Sequence, residues 1–155
     1  VISIGDNWGR HFVSKQILES VSDFKFFNAI HPSVIIGNNV KMGVGIVAMA
    51  GCIINPKSTI GNFTFFATGA QVDHDCTIGD FASISAGSIT GGYVNLGDFS
   101  AITLGVTVLD RLNIGKNTVV GAGSVLLKDL PDNVLAYGNP CIVIRNRVGA
   151  EKWLK

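Results

Sequence analysis

The sequence predicts an all-β solenoid, a parallel β-helix of hexapeptide repeats with 18 residues in each coil. An apolar residue recurs at every sixth position from Ile30 to Leu126, and Thr90 is the one polar member of this series. An amphipathic helix follows a period of about 3.6 residues, so its face cannot keep a frame of six over this length. A second period of 18 residues appears in two series of glycines: Gly43, Gly61, Gly79, Gly97 and Gly115, and Gly51, Gly69, Gly87, Gly105 and Gly123.

The repeat also predicts how each coil is built. Three hexads give three short flat segments and three corners, and equivalent residues stack on one another from coil to coil. The apolar residues at the first place of each hexad point inward, and small or β-branched residues occupy the fifth place, among them Cys52 and Cys76. Glycine suits the corners because it adopts positive φ without steric cost. We expect the two thiols to be buried, reduced fillers of the core.

Residues 1–29 do not follow the repeat. Residues 1–5 are predicted to form a buried strand, residues 7–21 a helix, and Phe24 to Phe27 a second short strand. Strand, helix and strand make a βαβ unit, so residues 1–29 are expected to be the last part of a larger α/β domain. The alternative is that this segment packs on the end of the solenoid as a cap.

The solenoid is expected to cover residues 30–131 without an insertion, beginning at the extended His31-Pro32 junction. Residues 132–155 form the last part of the chain. There Leu135 to Ile144 is predicted to be a strand that returns along the solenoid, and Trp153 is a candidate anchor for the terminal segment.

Composition and charge narrow the function classes. The net charge of +1 gives no electrostatic basis for binding nucleic acid or an anionic membrane. The apolar runs are short and interrupted by glycine, so none is expected to span a bilayer, and no signal peptide is recognisable. Only 15% of the residues are charged, which suggests that some outer faces are buried between subunits. We expect a cytoplasmic protein.

The richest polar cluster is Asp73-His74-Asp75. His74 and Asp75 take the third and fourth places of a hexad, which face outward at a corner, so His74 is not a core histidine. A neighbouring carboxylate fixes the tautomer of an imidazole and stabilises its protonated form, as a general base acting on an amine or a hydroxyl requires. The alternative is a solvated surface histidine between two acidic residues.

A family resemblance is carried by the hexads, by residues 71–79 (QVDHDCTIG) and by residues 136–140 (AYGNP) followed by Arg145. Together they resemble the left-handed β-helix acyltransferases, and most closely the NeuD/PglD-type sugar acetyltransferases of bacterial surface-glycan synthesis. Residues 1–7 and 30–33 also look like the junction in these enzymes between a Rossmann-like, nucleotide-sugar-binding front domain and the β-helix. The left-handed sense of the coil comes from this resemblance, because the repeat alone does not show it.

The resemblance implies a homotrimer that uses acetyl-CoA and no metal, with its active sites in grooves between subunits. His74 is implied to be the general base, oriented by Asp75, with Asp73 as the second choice. Ser83 stands where family members often carry a second histidine, so it is a candidate contact to the donor or acceptor. The implied contacts to acetyl-CoA are Gly91, Gly92, Gly123, Gly138, Asn139 and Arg145, the last as a phosphate partner.

The implied function is N-acetylation of a nucleotide-linked amino sugar, with a UDP or dTDP sugar as acceptor. O-acetylation of a sugar, a sialic acid or serine is the close alternative, since the same base serves an amine or a hydroxyl. A β-helix carbonic anhydrase would need three histidines that converge on zinc, and only His74 lies beyond the junction. A non-catalytic scaffold also stays open, because Ser83 replaces the second histidine and the glycine-rich turn of the front domain is missing.

Overall fold

The computed structural model describes residues 1–154, in which one helix, α1 (Asn7–Ser20), precedes nineteen strands in three sheets. The first sheet comprises β1 (Ala29–Ile30), β4 (Val47–Ala48), β7 (Phe65–Phe66), β10 (Ser83–Ile84), β13 (Ala101–Ile102), β16 (Val119–Val120), β18 (Val134–Gly138) and β19 (Cys141–Asn146). The second comprises β2 (Ile35–Ile36), β5 (Ile53–Ile54), β8 (Gln71–Val72), β11 (Ile89–Thr90), β14 (Thr107–Val108) and β17 (Val125–Leu126). The third comprises β3 (Lys41–Met42), β6 (Thr59–Ile60), β9 (Thr77–Ile78), β12 (Asn95–Leu96) and β15 (Asn113–Ile114).

The predicted parallel solenoid is confirmed, because each strand from β1 to β14 pairs in parallel with the equivalent strand one coil later. Thr59 is the partner of Lys41 on one side and of Thr77 on the other, so the register advances by one full repeat at every step. The backbone N–H of Thr59 donates to the carbonyl of Cys76 at 2.8 Å, as equivalent groups do along the axis. Coil stacking therefore satisfies the backbone of these very short strands.

The inward columns form the core, as the hexads predict. The first-place residues from Ala48 to Leu126 are all buried, whereas Ile36 in the first coil is 42% exposed because no coil covers that end. The one polar member, Thr90, is buried and its hydroxyl accepts a hydrogen bond from the N–H of Asp73. Cys52 and Cys76 are buried and free, as expected of core fillers.

The two glycine series have different physical causes. The series that contains Gly51 adopts positive φ, as predicted. The series that contains Gly61 does not, and it is required instead by the neighbouring coil: a Cβ on Gly61 would lie 2.5 Å from Oδ1 of Asp80 and 2.7 Å from its backbone nitrogen. That same Oδ1 accepts a hydrogen bond from the N–H of Asn62. The carboxylate therefore occupies the space that a side chain at position 61 would need.

Each corner of the solenoid has one column of residues with positive φ, and the columns differ in their side chains. We name the corners by these columns. The glycine corner, between the first and second sheets, contains Gly51, Gly69, Gly87, Gly105 and Gly123. The histidine corner, between the second and third sheets, contains Lys57, Asp75, Tyr93 and Arg111, with His74 beside Asp75. The aromatic corner, between the third and first sheets, contains Phe63, Phe81, Phe99 and Asn117.

Helix α1 forms as predicted, but the strands predicted on either side of it do not. Residues 1–6 and 21–28 contain no strand, so residues 1–28 do not form a βαβ unit. Asp6 caps the helix by accepting from the N–H of Gly9 at 2.8 Å. No helix within residues 1–154 is both long and apolar enough to cross a membrane.

Helix α1 packs along the aromatic corner and not on the end of the solenoid as the alternative prediction had it. The phenyl rings of Phe63, Phe81 and Phe99 stack at 5.0 and 5.1 Å, and the indole of Trp8 continues the stack onto Phe99 at 4.1 Å. Arg10 of the helix is fully buried, and its guanidinium donates to the carbonyls of Phe63 and Phe81 in two successive coils. Helix α1 thus supplies hydrogen-bond donors to the carbonyls of the aromatic corner and shields its phenyl rings from solvent.

The predicted single return strand is an antiparallel hairpin. Strand β18 extends the first sheet in parallel with β16, and β19 then folds back along β18. The reversal occurs at Asn139-Pro140, whose peptide bond is cis. Trp153, the candidate anchor, is partly buried and lines an apolar cavity on the first sheet with Phe65 and Leu135.

Candidate active site

His74 lies at the surface of the histidine corner, in contact with Asp75. Its Nδ1 is 2.9 Å from Oδ2 of Asp75, and 48% of the His74 side chain is exposed. The backbone of Asp75 is in the left-handed region (φ 55°), which turns its carboxylate toward the ring of the preceding residue. When Nδ1–H donates to this carboxylate, Nε2 keeps its lone pair and can accept a proton.

Asp73 has a different role from Asp75. Its Oδ1 accepts from the backbone N–H of His74 at 2.7 Å and from the side-chain amide of Asn55 at 3.0 Å. Asp73 therefore stabilises the backbone conformation at His74, whereas Asp75 contacts the imidazole ring itself. The geometry favours Asp75 as the orienting residue, which was the first choice from the sequence.

Gly91 and Gly92 lie one coil later and form the floor beside His74. A Cβ on Gly92 would lie 2.9 Å from both Cε1 and Nε2 of His74, so a larger residue there would displace the imidazole. A Cβ on Gly91 would lie 2.6 Å from the backbone nitrogen of Asp110.

The buried thiol of Cys76 connects the turn of His74 to the turn of Gly91 in the next coil. Its Sγ lies 3.3 Å from the carbonyl oxygen of Gly91, to which the thiol donates. Burial raises the pKa of this thiol, so it stays protonated.

Two further residues line this groove, Tyr93 and Arg111, and neither is among the site residues predicted from the sequence. The Tyr93 ring packs edge-on against the His74 imidazole with centroids 5.2 Å apart, and the guanidinium of Arg111 lies 4.6 Å from the Tyr93 centroid. The 18-residue repeat could have identified them, because Tyr93 and Arg111 occupy the position of Asp75 in the next two coils. The groove has a volume of about 380 Å³.

The remaining predicted contacts to acetyl-CoA lie at another corner. Gly123 ends the column of the glycine corner, and Gly138 joins it through its N–H, which donates to Oγ of Ser124 at 3.0 Å. Asn139 follows at the turn of the hairpin. Within one chain, the second sheet separates this group from His74, so the structure does not bring all predicted site residues together.

Arg145, the predicted phosphate partner, is engaged with Glu151. Its Nη1 lies 3.0 Å from Oε2 of Glu151, and its Nη2 binds Oε1 of the same carboxylate. This two-point pairing occupies the guanidinium edge that a phosphate would use.

The pair predicts an acid-sensitive tail. Hydrogen bonding from Arg145 lowers the pKa of Glu151 from 4.5 to about 2. The ionised carboxylate is favoured in the folded chain, so its stabilising contribution is complete above about pH 4.5 and is lost as the pH falls toward 2. An NMR titration of the Glu151 carboxyl should show this low pKa, and Arg145→Gln should return it to near 4.5. An ordinary pKa in the unsubstituted chain would show that the pair does not form.

Ser83, predicted to contact donor or acceptor, is placed beneath helix α1. It is 1% exposed, its hydroxyl lies 2.9 Å from Nη2 of Arg10, and it donates to Oδ1 of Asn7. Because the helix covers Ser83 and its hydroxyl proton is donated to Asn7, Ser83 presents no surface and no free donor to a ligand in this structure. The prediction that it binds substrate does not fit this position.

The histidines do not converge as a carbonic anhydrase would require. His11 packs in the aromatic corner against Phe81 and Phe99, and His31 contacts Ser33 at the junction. Across residues 1–154, no group of three His, Cys, Asp or Glu side chains is arranged to hold a metal ion.

No protein-family model matches the chain. The fold is similar to a variant of perosamine N-acetyltransferase from Caulobacter crescentus in complex with CoA and GDP-perosamine, with a TM-score of 0.88 and 36% identity over 93% of this chain and 68% of that one. The acetyltransferase domain of PglB from Neisseria gonorrhoeae, in complex with acetyl coenzyme A, gives a TM-score of 0.88 and 28% identity over 93% of this chain and 69% of that one.

The sequence similarity to curated proteins is short. A stretch of 29 residues is 62% identical to galactoside O-acetyltransferase of Lactococcus lactis subsp. lactis. This stretch is 19% of the present chain and 14% of that enzyme, so the chain matches well under two thirds of its curated relative. The solved relatives thus match 93% of this chain, whereas the curated relative matches a short stretch of it.

Proposed function

Because this chain belongs to the hexapeptide-repeat acetyltransferases, we propose that it transfers the acetyl group of acetyl-CoA to the amine of a nucleotide-linked sugar. The observation that carries the proposal is the contact between His74 and Asp75. It places a histidine with an accepting Nε2 at the edge of an open groove, with Gly92 directly beneath it. These are the parts that a general base beside a thioester requires.

His74 acts as the base in the proposed reaction. As the acceptor nitrogen attacks the thioester carbon, Nε2 takes a proton from the nitrogen, and Asp75 stabilises the imidazolium that forms. The tetrahedral oxyanion is held by the backbone N–H of Gly92, because the N–H of Gly91 already donates to the carbonyl of Val108 at 2.8 Å. When the C–S bond breaks, the imidazolium returns its proton to the leaving thiolate, which restores the base and releases CoA.

We place acetyl-CoA along the glycine corner. The histidine and aromatic corners hold Lys57, Phe63, Tyr93 and Arg111 at positive φ, so this backbone does not by itself demand glycine. A Cβ on Gly123 would meet nothing within 4 Å, so crowding inside the chain does not demand it either. A ligand that passes close to the backbone from outside accounts for a column without side chains, and the thin pantetheine arm is such a ligand.

Substituting Gly123 with asparagine tests this placement. Asparagine enters the left-handed region readily, so the fold should lose no more than about 1 kcal/mol. The affinity for acetyl-CoA should fall about tenfold or more, because the new side chain fills the approach path. Titration calorimetry gives the affinity. Gly51→Asn, in the same column at the opposite end of the solenoid, is the matched control and should bind acetyl-CoA normally. Equal affinities for both variants would place the arm elsewhere.

The proposed assembly is a homotrimer of left-handed solenoids with its active site between subunits, and we propose a cytoplasmic location. Support for the assembly comes from the separation of His74 and Gly123 on two corners, because a second copy can bring one corner to the other. The outer face of the second sheet between them exposes Ile35 and Ile89, at 61% and 42%. Apolar surface of this kind is typical of subunit interfaces.

The acceptor is proposed to be a UDP- or dTDP-linked amino sugar. One solved relative is an N-acetyltransferase bound to GDP-perosamine, and a curated relative acts on a galactoside hydroxyl. The two acceptor classes are separated by measuring thiol release from acetyl-CoA with amino-sugar nucleotides and, in parallel, with galactosides or serine. Release with the amine acceptors alone supports the proposal. Release with none of them, together with no binding of millimolar acetyl-CoA, would favour a non-catalytic scaffold.

A further inference from the structure

The groove beside His74 is electrically polarised. Asp75 contacts the imidazole and Asp73 accepts from the backbone N–H of His74, whereas the other end of the groove holds Arg111 beside Asp110. Of the residues that the structure describes along this groove, Arg111 is the only one with a permanent positive charge. A ligand with a cationic and an anionic end would be oriented by such a field.

The Arg111 guanidinium is held in place by an aromatic ring and by one long ion pair through its Nε. It lies over the face of Tyr93, at 4.6 Å from the ring centroid, which is a favourable cation–π position. Its Nε is 3.5 Å from Oδ2 of Asp110, which is too long for a strong charge-assisted hydrogen bond. The side chain is 70% exposed, and the Nη1 and Nη2 donors are left for a ligand. Two N–H groups in one plane match a phosphate oxygen pair.

The position of Arg111 fits the dimensions of the proposed acceptor. The centroid of Tyr93 is 5.2 Å from the imidazole and 4.6 Å from the guanidinium, so base and cation are no more than about 10 Å apart. In a nucleotide-linked amino sugar, one pyranose ring separates the amine from the diphosphate. In acetyl-CoA the whole pantetheine arm separates the thioester from its diphosphate, which is a much longer distance.

We propose that Arg111 binds the diphosphate of the acceptor and so selects nucleotide-linked amino sugars over free ones. The inference rests on the proposed function and adds a specificity residue to it. The acceptor amine, protonated in solution, is attracted to the end of the groove that holds Asp73 and Asp75, while the diphosphate meets Arg111. The bound amine releases this extra proton to solvent before it attacks, and His74 then takes the second proton as the new bond forms. Tyr93 connects the two ends by packing on both His74 and Arg111.

The test compares Arg111→Gln with the unsubstituted chain on two acceptors, a UDP-linked amino sugar and the methyl glycoside of the same amino sugar. We expect the KM for the UDP-linked acceptor to rise about tenfold, as for the loss of one charge-assisted contact at an exposed site. The KM for the methyl glycoside and for acetyl-CoA should be unchanged. Lys15→Gln, which removes one exposed charge from helix α1, controls for net charge.

Other outcomes overturn the inference. A raised KM for acetyl-CoA alone would assign the phosphate contact to the coenzyme, and equal losses on both acceptors would give Arg111 a structural role. Unchanged kinetics would remove it from the site. If the unsubstituted chain transfers no acetyl group at all, the proposed function fails, and calorimetric binding of the UDP-linked amino sugar still decides the role of Arg111. Its affinity should then differ by the same factor between Arg111→Gln and Lys15→Gln.

Discussion

Replacing His74 by glutamine is expected to lower kcat for acetyl transfer by about 10²–10⁴-fold, the range typical of a lost general base. Glutamine keeps a polar side chain in the groove but cannot take up a proton at neutral pH. Acetyl-CoA affinity should stay within about twofold, since the proposed donor path follows the glycine corner and does not depend on the imidazole. Thiol release gives the rate, and titration calorimetry gives the affinity.

The matched control is His31→Gln. This histidine is exposed at the junction and contacts Ser33 and not a carboxylate, so its loss should leave kcat unchanged. Asp75→Asn should retain the ring but remove the charge that stabilises the imidazolium, with an intermediate loss. Full activity of His74→Gln would show that another group takes the proton and would remove the central element of the mechanism.

The largest expected loss of stability follows Arg10→Ala. The side chain is fully buried and makes hydrogen bonds to the carbonyls of Ile4, Gly5, Phe63, Phe81 and Ala82 and to the side chains of Asn7 and Ser83. Burial lowers its pKa to about 10, so it is still charged at neutral pH. Alanine would leave several buried acceptors without donors, and we expect the free energy of unfolding to fall by about 3 kcal/mol or more.

Urea unfolding at one fixed protein concentration measures this loss, because any assembly would add to the apparent stability. Lys15→Ala is the control on the same helix. Its ammonium is 65% exposed and lies 3.8 Å from Glu19, so its removal should cost less than about 0.5 kcal/mol. Similar midpoints for the two variants would show that the helix does not hold the solenoid in the way described.

The solenoid could be predicted from the sequence because the 18-residue repeat gives the strand register directly: a strand residue in the repeat pairs with the residue 18 positions later. An inward residue at every sixth position fixes how the coils stack, although not their handedness, and the stacking supplies the hydrogen bonds of the short strands β1 to β17. The N-terminal segment could not be predicted in the same way, because its partners are distant in sequence. Residues 1–5 have the pattern of a buried strand, but they have no sheet edge to join and instead supply the carbonyls of Ile4 and Gly5 to Arg10.

The candidate site was predicted in part, for a similar reason. His74 and Asp75 are adjacent in sequence, so their contact could be expected from the corner geometry. Ser83 follows His74 by half a coil, which carries it to a different face beneath helix α1. Arg145 pairs with Glu151 in the tail, and neither residue belongs to the repeat. Sequence spacing gives position within the solenoid, but it does not give the contacts made by segments outside it.

The path of helix α1 along the aromatic corner changes how the solenoid would come apart. A stack in which every coil touches only its neighbours unzips from its ends, one coil at a time. Here a single short helix is bonded to Phe63 through Arg10, to Phe99 through Asn7 and to Asn117 through Trp8. The coils that contain these residues cannot separate until the helix has left all of them. The middle of the solenoid, including the coil of His74, is therefore expected to open as one cooperative unit, with gradual fraying confined to the coils beyond the helix.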